Sequence, residues 1–185
     1  NLLINSKVFL VNASIRDEFK VETLVDLKKK GSLIGIDLQG FIRTIDKNNI
    51  LINSDWEEKK EALGLTHYLK ADGVEAEFLT GESDLISAAK ILKSYGPKEI
   101  IITHKDGVLV YDGENVFQEP FILDKIVGRS GRGDTCGASY VYKRLTLNAK
   151  NSIKWAAAAT SLKMESDTPL KNTIHEIENR VSKYK

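Results

Sequence analysis

The sequence is poor in cysteine, and this scarcity limits the kinds of protein it can encode. Cys136 is the one cysteine among 185 residues. It cannot form a disulfide within the chain, and it has no second cysteine at metal-binding spacing. We therefore expect a protein of the reducing cytoplasm, without a disulfide framework.

The sequence also lacks an excess of charge of one sign and a long hydrophobic run. Its 27 Lys and Arg residues nearly balance 26 Asp and Glu residues, which leaves a formal net charge of +1. Such a balance does not favour nucleic acid or an anionic membrane as a partner. The apolar stretch at residues 8–11 is far too short to span a bilayer or to serve as a signal peptide. We expect neither a membrane nor a nucleic-acid partner.

Hydrophobic residues make up 42% of the chain, which is enough to build a core, and the length favours one domain over residues 1–185. Strand-like and helix-like segments alternate along it. This alternation predicts an α/β fold with three layers, in which helices cover both faces of a mostly parallel sheet. The predicted strands are 7–11, 33–36, 66–69 and 99–103, and the predicted helices are 17–30, 84–95, 134–145, 152–164 and 173–182.

Three local patterns add detail to this outline. The pair Asp112-Gly113 tolerates positive φ and predicts an antiparallel hairpin between strands 108–111 and 115–118, at one edge of the sheet. We expect an irregular stretch through Gly40 and Arg43, a helix capped by Asp55 with Glu58, and a further extended piece at residues 121–126. Thr173 and Glu176 have the spacing of a capping box at the last helix.

The most informative segment is a glycine-rich loop at residues 128–133, between an extended piece and a helix. Glycines let backbone N–H groups approach an anion, and the first turn of the next helix offers unpaired donors and the positive end of its dipole. Asp134 at the helix start could accept a proton from an attacking alcohol. The same pattern is typical of an ordinary turn in which Asp134 is a helix N-cap, and the loop by itself leaves both interpretations open.

From about Lys7 to the C-terminal helices, the chain resembles the ribokinase-like (PfkB) carbohydrate kinase family. The family's Gly-x-Gly-Asp signature, followed by Thr and a helix of small residues, is similar to residues 131–138. The resemblance implies that Asp134 is the catalytic base, and that Gly131, Arg132 and Gly133 form an anion hole through their backbone N–H groups. Arg132 replaces a common alanine, and it could contact phosphate or face solvent.

The segment from Asp72 to Gly81 resembles the family's Asn-x-x-Glu motif. The resemblance implies that Glu75 orients magnesium-bound water near the phosphates, with Asp72 in place of the usual Asn. A solvated acidic helix start is the alternative interpretation. Magnesium would be held through water and phosphate, with no direct protein ligand.

Other segments resemble the parts of the family that contact nucleotide and substrate. By this match Thr103 and Gly107 lie near nucleotide phosphate and ribose, and Ala158 lies beside the adenine, although an Ala-rich helix face is also typical of simple packing. The segment Gln-Gly-Phe-Ile-Arg, ending at Arg43, is similar to that of microbial inositol-kinase-like members. Arg43 could hold the transferred phosphate or face solvent.

The resemblance as a whole implies an enzyme that phosphorylates a hydroxyl of a sugar or cyclic polyol, with ATP and Mg²⁺. It covers the C-terminal portion of such a kinase, without the N-terminal substrate motifs and the β-stranded lid, and it allows a homodimer of the full-length protein. The alternative is a module that binds a nucleotide without catalysis on its own. No Gly-x-Ser-x-Gly or Gly-x4-Gly-Lys-Ser/Thr motif supports a different α/β transferase or hydrolase.

Overall fold

The computed structural model describes residues 5–185, so residues 1–4 of the predicted domain lie outside the described part. Strands and helices alternate along most of the chain, as the sequence predicts. The strands are β1 Val8–Val11, β2 Leu33–Asp37, β3 Arg43–Ile45, β4 Leu51–Asn53, β5 Tyr68–Asp72, β6 Glu99–Thr103, β7 Gly107–Tyr111 and β8 Val116–Pro120. The helices are α1 Val21–Lys29, α2 Gln39–Ile42, α3 Lys59–Leu65, α4 Gly73–Thr80, α5 Leu85–Ser94, α6 Arg132–Arg144, α7 Ala149–Met164 and α8 Ile174–Val181.

The main sheet has six strands in the order β1-β2-β5-β6-β7-β8. The first four of these run parallel to one another, while β7 and β8 are antiparallel to their neighbours. The hairpin at Asp112-Gly113 is therefore confirmed, and Gly113 adopts a φ of +102° in its turn. Since all parallel strands end at the same edge of the sheet, the loops that follow them share one side of the molecule.

Helices cover both faces of the sheet, and each face has its own hydrophobic core. Apolar side chains of α1, α3, α4 and α5 pack on one face against strand residues such as Ile36 and Ile100. Side chains of α6, α7 and α8 pack on the other face against residues such as Tyr68 and Ile101. Alternate residues of one strand point to opposite faces, so Ile100 and Ile101 belong to different cores. The predicted three-layer arrangement is confirmed.

One of the two helix caps predicted from the sequence is present in the structure. Thr173 and Glu176 form the predicted capping box, in which the Thr173 side chain accepts the N–H of Glu176 and the Glu176 side chain accepts the N–H of Thr173. The prediction that Asp55 caps a helix was wrong. Its carboxylate accepts the N–H of Trp56 and pairs with the Lys59 ammonium at 2.6 Å, while α3 begins only at Lys59.

The expectation of an irregular stretch through Gly40 and Arg43 was also wrong. Residues 39–42 form the short helix α2, and β3 and β4 form a separate antiparallel sheet of two strands. The turn between them is closed by Asp46, whose Oδ1 accepts the N–H groups of Asn48 and Ile50 at 2.8 Å each. Short-range side-chain bonds of this kind replace the Gly and Pro signals that mark most turns. Residues 121–126, expected to be extended, form no strand.

Within residues 5–185, no helix is both long enough and apolar enough to cross a membrane.

Candidate active site

The site lies where the parallel strands end and α6 begins. Asn12 directly follows β1, Asp37 ends β2, and Asp72 ends β5. These strands are neighbours in the sheet, so the three side chains come from one edge. The glycine loop and the start of α6 approach this edge, because Asn12 contacts Asp134 directly.

Gly131 is the N-cap residue of α6, and it adopts a left-handed φ of +76° that favours glycine. The first helical bond runs from the N–H of Thr135 to the carbonyl oxygen of Gly131 at 3.0 Å. The N–H groups of Gly131, Gly133 and Asp134 have no acceptor among the described residues. The N–H of Arg132 is already bonded to the carbonyl oxygen of Arg129 at 3.1 Å. Three of the amides around the helix start are thus available to an anion, and that of Arg132 is not.

Asp134 is exposed to solvent in the first turn of α6. It does not serve as the N-cap, since Gly131 holds that position and no side chain caps the helix. Its Oδ1 accepts a hydrogen bond of 2.7 Å from the side-chain amide of Asn12, which fixes the carboxylate toward β1. The other oxygen, Oδ2, remains available to a proton donor.

Lys70 lies beneath the start of α6 in a cluster of buried charges. Its ammonium is 2.9 Å from Oδ2 of Asp37, its register partner on β2, and 3.9 Å from Oε2 of Glu75. Burial by itself lowers the pKa of Lys70, but the two carboxylates outweigh this and raise the pKa above its ordinary value. Burial raises the pKa of Asp37 and of Glu75, and the charge of Lys70 offsets this only in part.

The Lys70 side chain explains two glycines of α6. A Cβ at Gly133 would lie 2.6 Å from Lys70 Nζ, and a Cβ at Gly137 would lie 3.4 Å from Lys70 Cγ. The helix therefore approaches β5 over two residues without side chains. Because Gly133 has no side chain, its backbone lies close to the Lys70 ammonium. A cation held by Asp37 therefore lies next to the first turn of α6.

Asp72 and Glu75 form a capping box at the start of α4. The Asp72 carboxylate accepts the N–H of Glu75 at 2.8 Å, and Glu75 Oε2 accepts the N–H of Asp72 at 2.7 Å. Glu75 is buried, whereas Asp72 is half-buried. The structural role and the predicted role in holding magnesium-bound water are compatible, because each carboxylate keeps an oxygen without a bond to the cap.

The residues predicted to contact the nucleotide lie in the core. The Thr103 hydroxyl is buried and donates to the carbonyl oxygen of Ala71 at 3.5 Å. Gly107 is packed against β8, where a Cβ would lie 2.4 Å from the carbonyl oxygen of Glu119. Ala158 is fully buried in the core between α7 and the sheet. The side chains of Thr103 and Ala158 pack inside the protein and Gly107 has none, so only backbone atoms at these positions could meet a ligand.

Arg43 begins β3 in the small sheet and is half-buried. Among the described residues its guanidinium has no hydrogen bond or ion pair. The backbone around it is fixed, because the N–H of Arg16 donates to the carbonyl oxygen of Arg43 at 2.8 Å. Nearby, Gly40 packs against the loop after β1, where a Cβ would lie 2.4 Å from the carbonyl oxygen of Ala13.

A cavity of about 310 Å³ opens beside Asp134. Its lining includes Gly131 and Asp134, Lys163 at the end of α7, and the segment 167–170. The volume is at the lower end of the range common for small-molecule sites.

Sequence reasoning missed three residues of the site: Asn12, Lys70 and Lys163. Each acts across a large sequence separation, which is 122 residues for the bond between Asn12 and Asp134. The sequence did hold one signal, since Lys70 interrupts the apolar residues of a buried strand. A lysine in a buried strand normally has a carboxylate partner, so the sequence alone could have predicted a cluster of buried charges around Lys70.

The fold is that of the ribokinase-like proteins. The profile of the pfkB family of carbohydrate kinases matches residues 36–172, which is most of the chain. The chain belongs to this family.

Among curated relatives, it is 30% identical over 81 residues to a ribokinase of Lactococcus lactis, an alignment that covers 43% of this chain and 27% of the relative. It is 39% identical over 72 residues to a cytidine kinase of Thermococcus kodakarensis, covering 36% of this chain and 25% of the relative. The matches thus span about a quarter of the length of these relatives.

Solved structures resemble the chain over nearly its whole length. One is a pyrophosphate-dependent kinase of the ribokinase family, complexed with a pyrophosphate analogue and myo-inositol. It has a TM-score of 0.88 and 35% identity, and the match covers 96% of this chain and 64% of that one. The ribokinase of Arabidopsis thaliana, complexed with ribose and ATP, has a TM-score of 0.77 and 19% identity over 95% of this chain and 56% of that one, and it supports the fold alone.

Proposed function

We propose that the intact protein transfers a phosphoryl group to a hydroxyl of a sugar or cyclic polyol, with Asp134 as the general base. One observation carries this proposal: at the start of a helix, an exposed carboxylate stands beside amides that have no acceptor in residues 5–185. The pfkB family membership gives this arrangement its reaction class.

The chemistry follows from the positions of the groups. Oδ2 of Asp134 accepts the hydroxyl proton while the alcohol oxygen attacks phosphorus. The N–H groups of Gly131, Gly133 and Asp134 then donate to the phosphoryl oxygens, on which negative charge gathers. A positioned base contributes about 10²–10⁴-fold to such a reaction. Because the Arg132 amide is occupied, only the guanidinium of Arg132 is available to this anion hole.

The site residues fit a magnesium ion held through water. Residues 5–185 contain no cluster of three or more side chains able to cage a metal, and Mg²⁺ commonly binds one or two carboxylates together with substrate phosphates. Asp72 and Glu75 would hold it through the oxygens that their capping box leaves unused. When bound, Mg²⁺ neutralises charge on the phosphates of the donor.

The acceptor we favour is a cyclic polyol such as an inositol. The support is the 35% identity to a kinase solved with myo-inositol, over 96% of this chain. Arg43 is proposed to face the acceptor or the transferred phosphate, since its guanidinium has no partner among the described residues.

ATP is the donor that the family resemblance implies, and inorganic pyrophosphate is a second candidate. Two observations favour pyrophosphate. The solved structures at about 35% identity include pyrophosphate-dependent kinases, and the cavity beside Asp134 is small and has a buried lysine in its wall.

A kinase assay of the intact protein tests both parts of the proposal. Inositols, ribose and other sugars are offered with Mg²⁺ and either ATP or pyrophosphate. We expect phosphorylation of at least one inositol. If no polyol or sugar is phosphorylated with either donor, while a donor binds, the chain acts as a binding module instead.

Asp134→Asn tests the role of the base. Turnover should fall at least about 100-fold, while donor affinity measured by calorimetry should change little. Asp26→Asn, at an exposed aspartate of α1, is the matched control and should retain full turnover. Full activity of Asp134→Asn would exclude Asp134 as the base.

A further inference from the structure

Lys163 is a buried cation that has no carboxylate partner in the part of the chain that the structure describes. It lies in the last turn of α7, and 3% of its surface is exposed. No ion pair among residues 5–185 includes it. An ammonium group has three donors, and the structure gives an acceptor to one of them, the carbonyl oxygen of Ser166 at 3.1 Å. The other two donors are available to a ligand.

Stability does not explain this arrangement. Burying a charge without a counter-charge opposes folding, and buried lysines are normally paired. Lys70 follows that rule, since Asp37 and Glu75 lie beside its ammonium. The contrast between the two buried lysines indicates that the charge of Lys163 serves a ligand.

The ammonium belongs to the cavity beside the proposed base. A Cβ at Gly131 would lie 3.5 Å from Lys163 Cε and 3.8 Å from Oδ2 of Asp134, so all three residues meet there. The carboxylate of Asp167 also lines this cavity, although it forms no ion pair with Lys163. The positive end of α6 and the ammonium thus face one space. Two positive groups in one space favour an anion between them.

We propose that Lys163 binds the phosphate chain of the phosphoryl donor and neutralises the charge of the leaving phosphate. This inference rests on the proposed function, in which the cavity accepts a donor. In the reaction, the bond between the bridging oxygen of the donor and its terminal phosphorus breaks, and a bond from the acceptor oxygen to that phosphorus forms. The hydroxyl proton passes to Asp134. The electron pair of the broken bond stays on the leaving phosphate, where Lys163 stabilises it.

The test compares Lys163→Met, Lys163→Arg and the control Lys125→Met at an exposed lysine in the intact protein. Lys163→Met removes the charge but keeps most of the volume. We expect its Tm without ligand to be equal to or above that of the wild type, because an unpaired buried charge is gone. Its kcat should fall about 10- to 100-fold, which corresponds to the free energy of one hydrogen bond from a charged group. The KM of the acceptor should change little. Lys163→Arg should keep part of the rate, and Lys125→Met should match the wild type.

Two further measurements separate a ligand-binding role from a structural one. Inorganic pyrophosphate should raise the Tm of the wild type and not that of Lys163→Met. Methylammonium should restore part of the rate of Lys163→Ala without affecting the wild type. A Lys163→Met protein that unfolds more easily yet keeps its turnover and its pyrophosphate response would overturn the inference.

The inference and the proposed function can fail separately. If the wild type phosphorylates no acceptor, but pyrophosphate still raises its Tm in a manner that depends on Lys163, the anion site stands and the proposed function fails. If the wild type turns over and Lys163→Met turns over equally well, the proposed function stands and the role of Lys163 is refuted.

Discussion

Asn12 and Asp134 are joined by a hydrogen bond of 2.7 Å between the side-chain amide of one and the carboxylate of the other. The first follows an edge strand of the main sheet and the second lies in the first turn of α6, so the bond connects two elements that are far apart in sequence. It occupies one carboxylate oxygen and directs the other. Asn12 is therefore a positioning residue for the proposed base.

Replacing Asn12 by Ala should lower kcat about 2- to 10-fold, which corresponds to the net free energy of one hydrogen bond. The Tm should barely change, because both side chains are exposed. Steady-state kinetics and a thermal melt measure the two effects. Asn179→Ala is the control, at an exposed asparagine of α8 whose side chain has no bond among the described residues. An unchanged kcat for Asn12→Ala would show that Asp134 needs no such support.

Gly133→Ala should be destabilising and should reduce turnover. The new Cβ would lie 2.6 Å from the ammonium of Lys70, which is buried and held by Asp37. Overpacking of this kind typically costs about 1–3 kcal/mol of unfolding free energy, and the shift of α6 would also displace the amides at its start. Urea unfolding and a kinase assay measure both consequences.

The matched control for Gly133 is Gly64→Ala in α3. A Cβ at Gly64 meets no atom within 4 Å, and the residue has an ordinary φ. This substitution should raise the free energy of unfolding by about 0.4–1 kcal/mol, since alanine restricts the unfolded chain and favours the helix. Equal effects of the two substitutions would mean that Lys70 does not restrict α6.

Lys70→Met should destabilise the fold by about 3–5 kcal/mol, the usual effect of breaking a buried ion pair from one side. It leaves the carboxylates of Asp37 and Glu75 buried without a cation. Combining it with Asp37→Asn should cost less than the sum of the two single substitutions, with a coupling of about 0.5–3 kcal/mol. Denaturant unfolding of the four proteins of this cycle gives the coupling. Simple additivity would show that the 2.9 Å contact between Lys70 and Asp37 contributes nothing.

The pair Glu165 and Arg180 predicts a specific dependence of stability on pH. Burial by itself raises the pKa of Glu165, but the hydrogen bonds from Arg180 and from the N–H of Asp124, with the charge of Arg180, together hold the pKa below its usual range. A carboxyl with a lower pKa in the folded state stabilises the fold above its unfolded pKa of about 4.3, and this stabilisation is lost as the pH falls through the folded pKa.

Arg180→Met should therefore lower the free energy of unfolding by about 1–3 kcal/mol at pH 7, with a smaller loss relative to the wild type below about pH 4. Unfolding curves between these two pH values give the difference. Lys125→Met, at an exposed lysine without an ion pair among the described residues, should lose nothing at either pH. A deficit of Arg180→Met that stays constant with pH would place the effect in packing rather than in charge.

Much of the fold could be predicted from the sequence because its signals are local. The apolar run from Glu99 to Thr103 and the glycine at Gly113 each act on near neighbours, and both the strand and the hairpin turn were found. The small sheet of β3 and β4 was missed because its turn depends on the side chain of Asp46, not on Gly or Pro. The predicted cap at Asp55 failed because a closer bond to Trp56 and a pairing with Lys59 occupy its carboxylate.

The candidate site could be predicted only where its residues are adjacent in sequence. Asp134 and the glycines before it form one segment, so their pattern was visible. Asn12 and Lys70 reach the same place through the order and register of the strands, which no local pattern reports. Lys163 arrives from the end of α7. The role of Asp134 as base and the anion hole stay predictions. The predicted anion hole included the Arg132 amide, which is already bonded to the carbonyl oxygen of Arg129.

Gly40 packs so closely against Ala13 that a Cβ at position 40 would clash with the Ala13 carbonyl oxygen. Asn12 is the neighbour of Ala13 in the chain, so whatever moves Ala13 also moves the amide that holds Asp134. A methyl group at position 40 would push the residues after β1 away from Gly40. This shift would weaken the hydrogen bond between Asn12 and Asp134, which lies more than ninety residues downstream. Through Ala13 and its neighbour Asn12, a residue without a side chain is thus linked to the position of the Asp134 carboxylate.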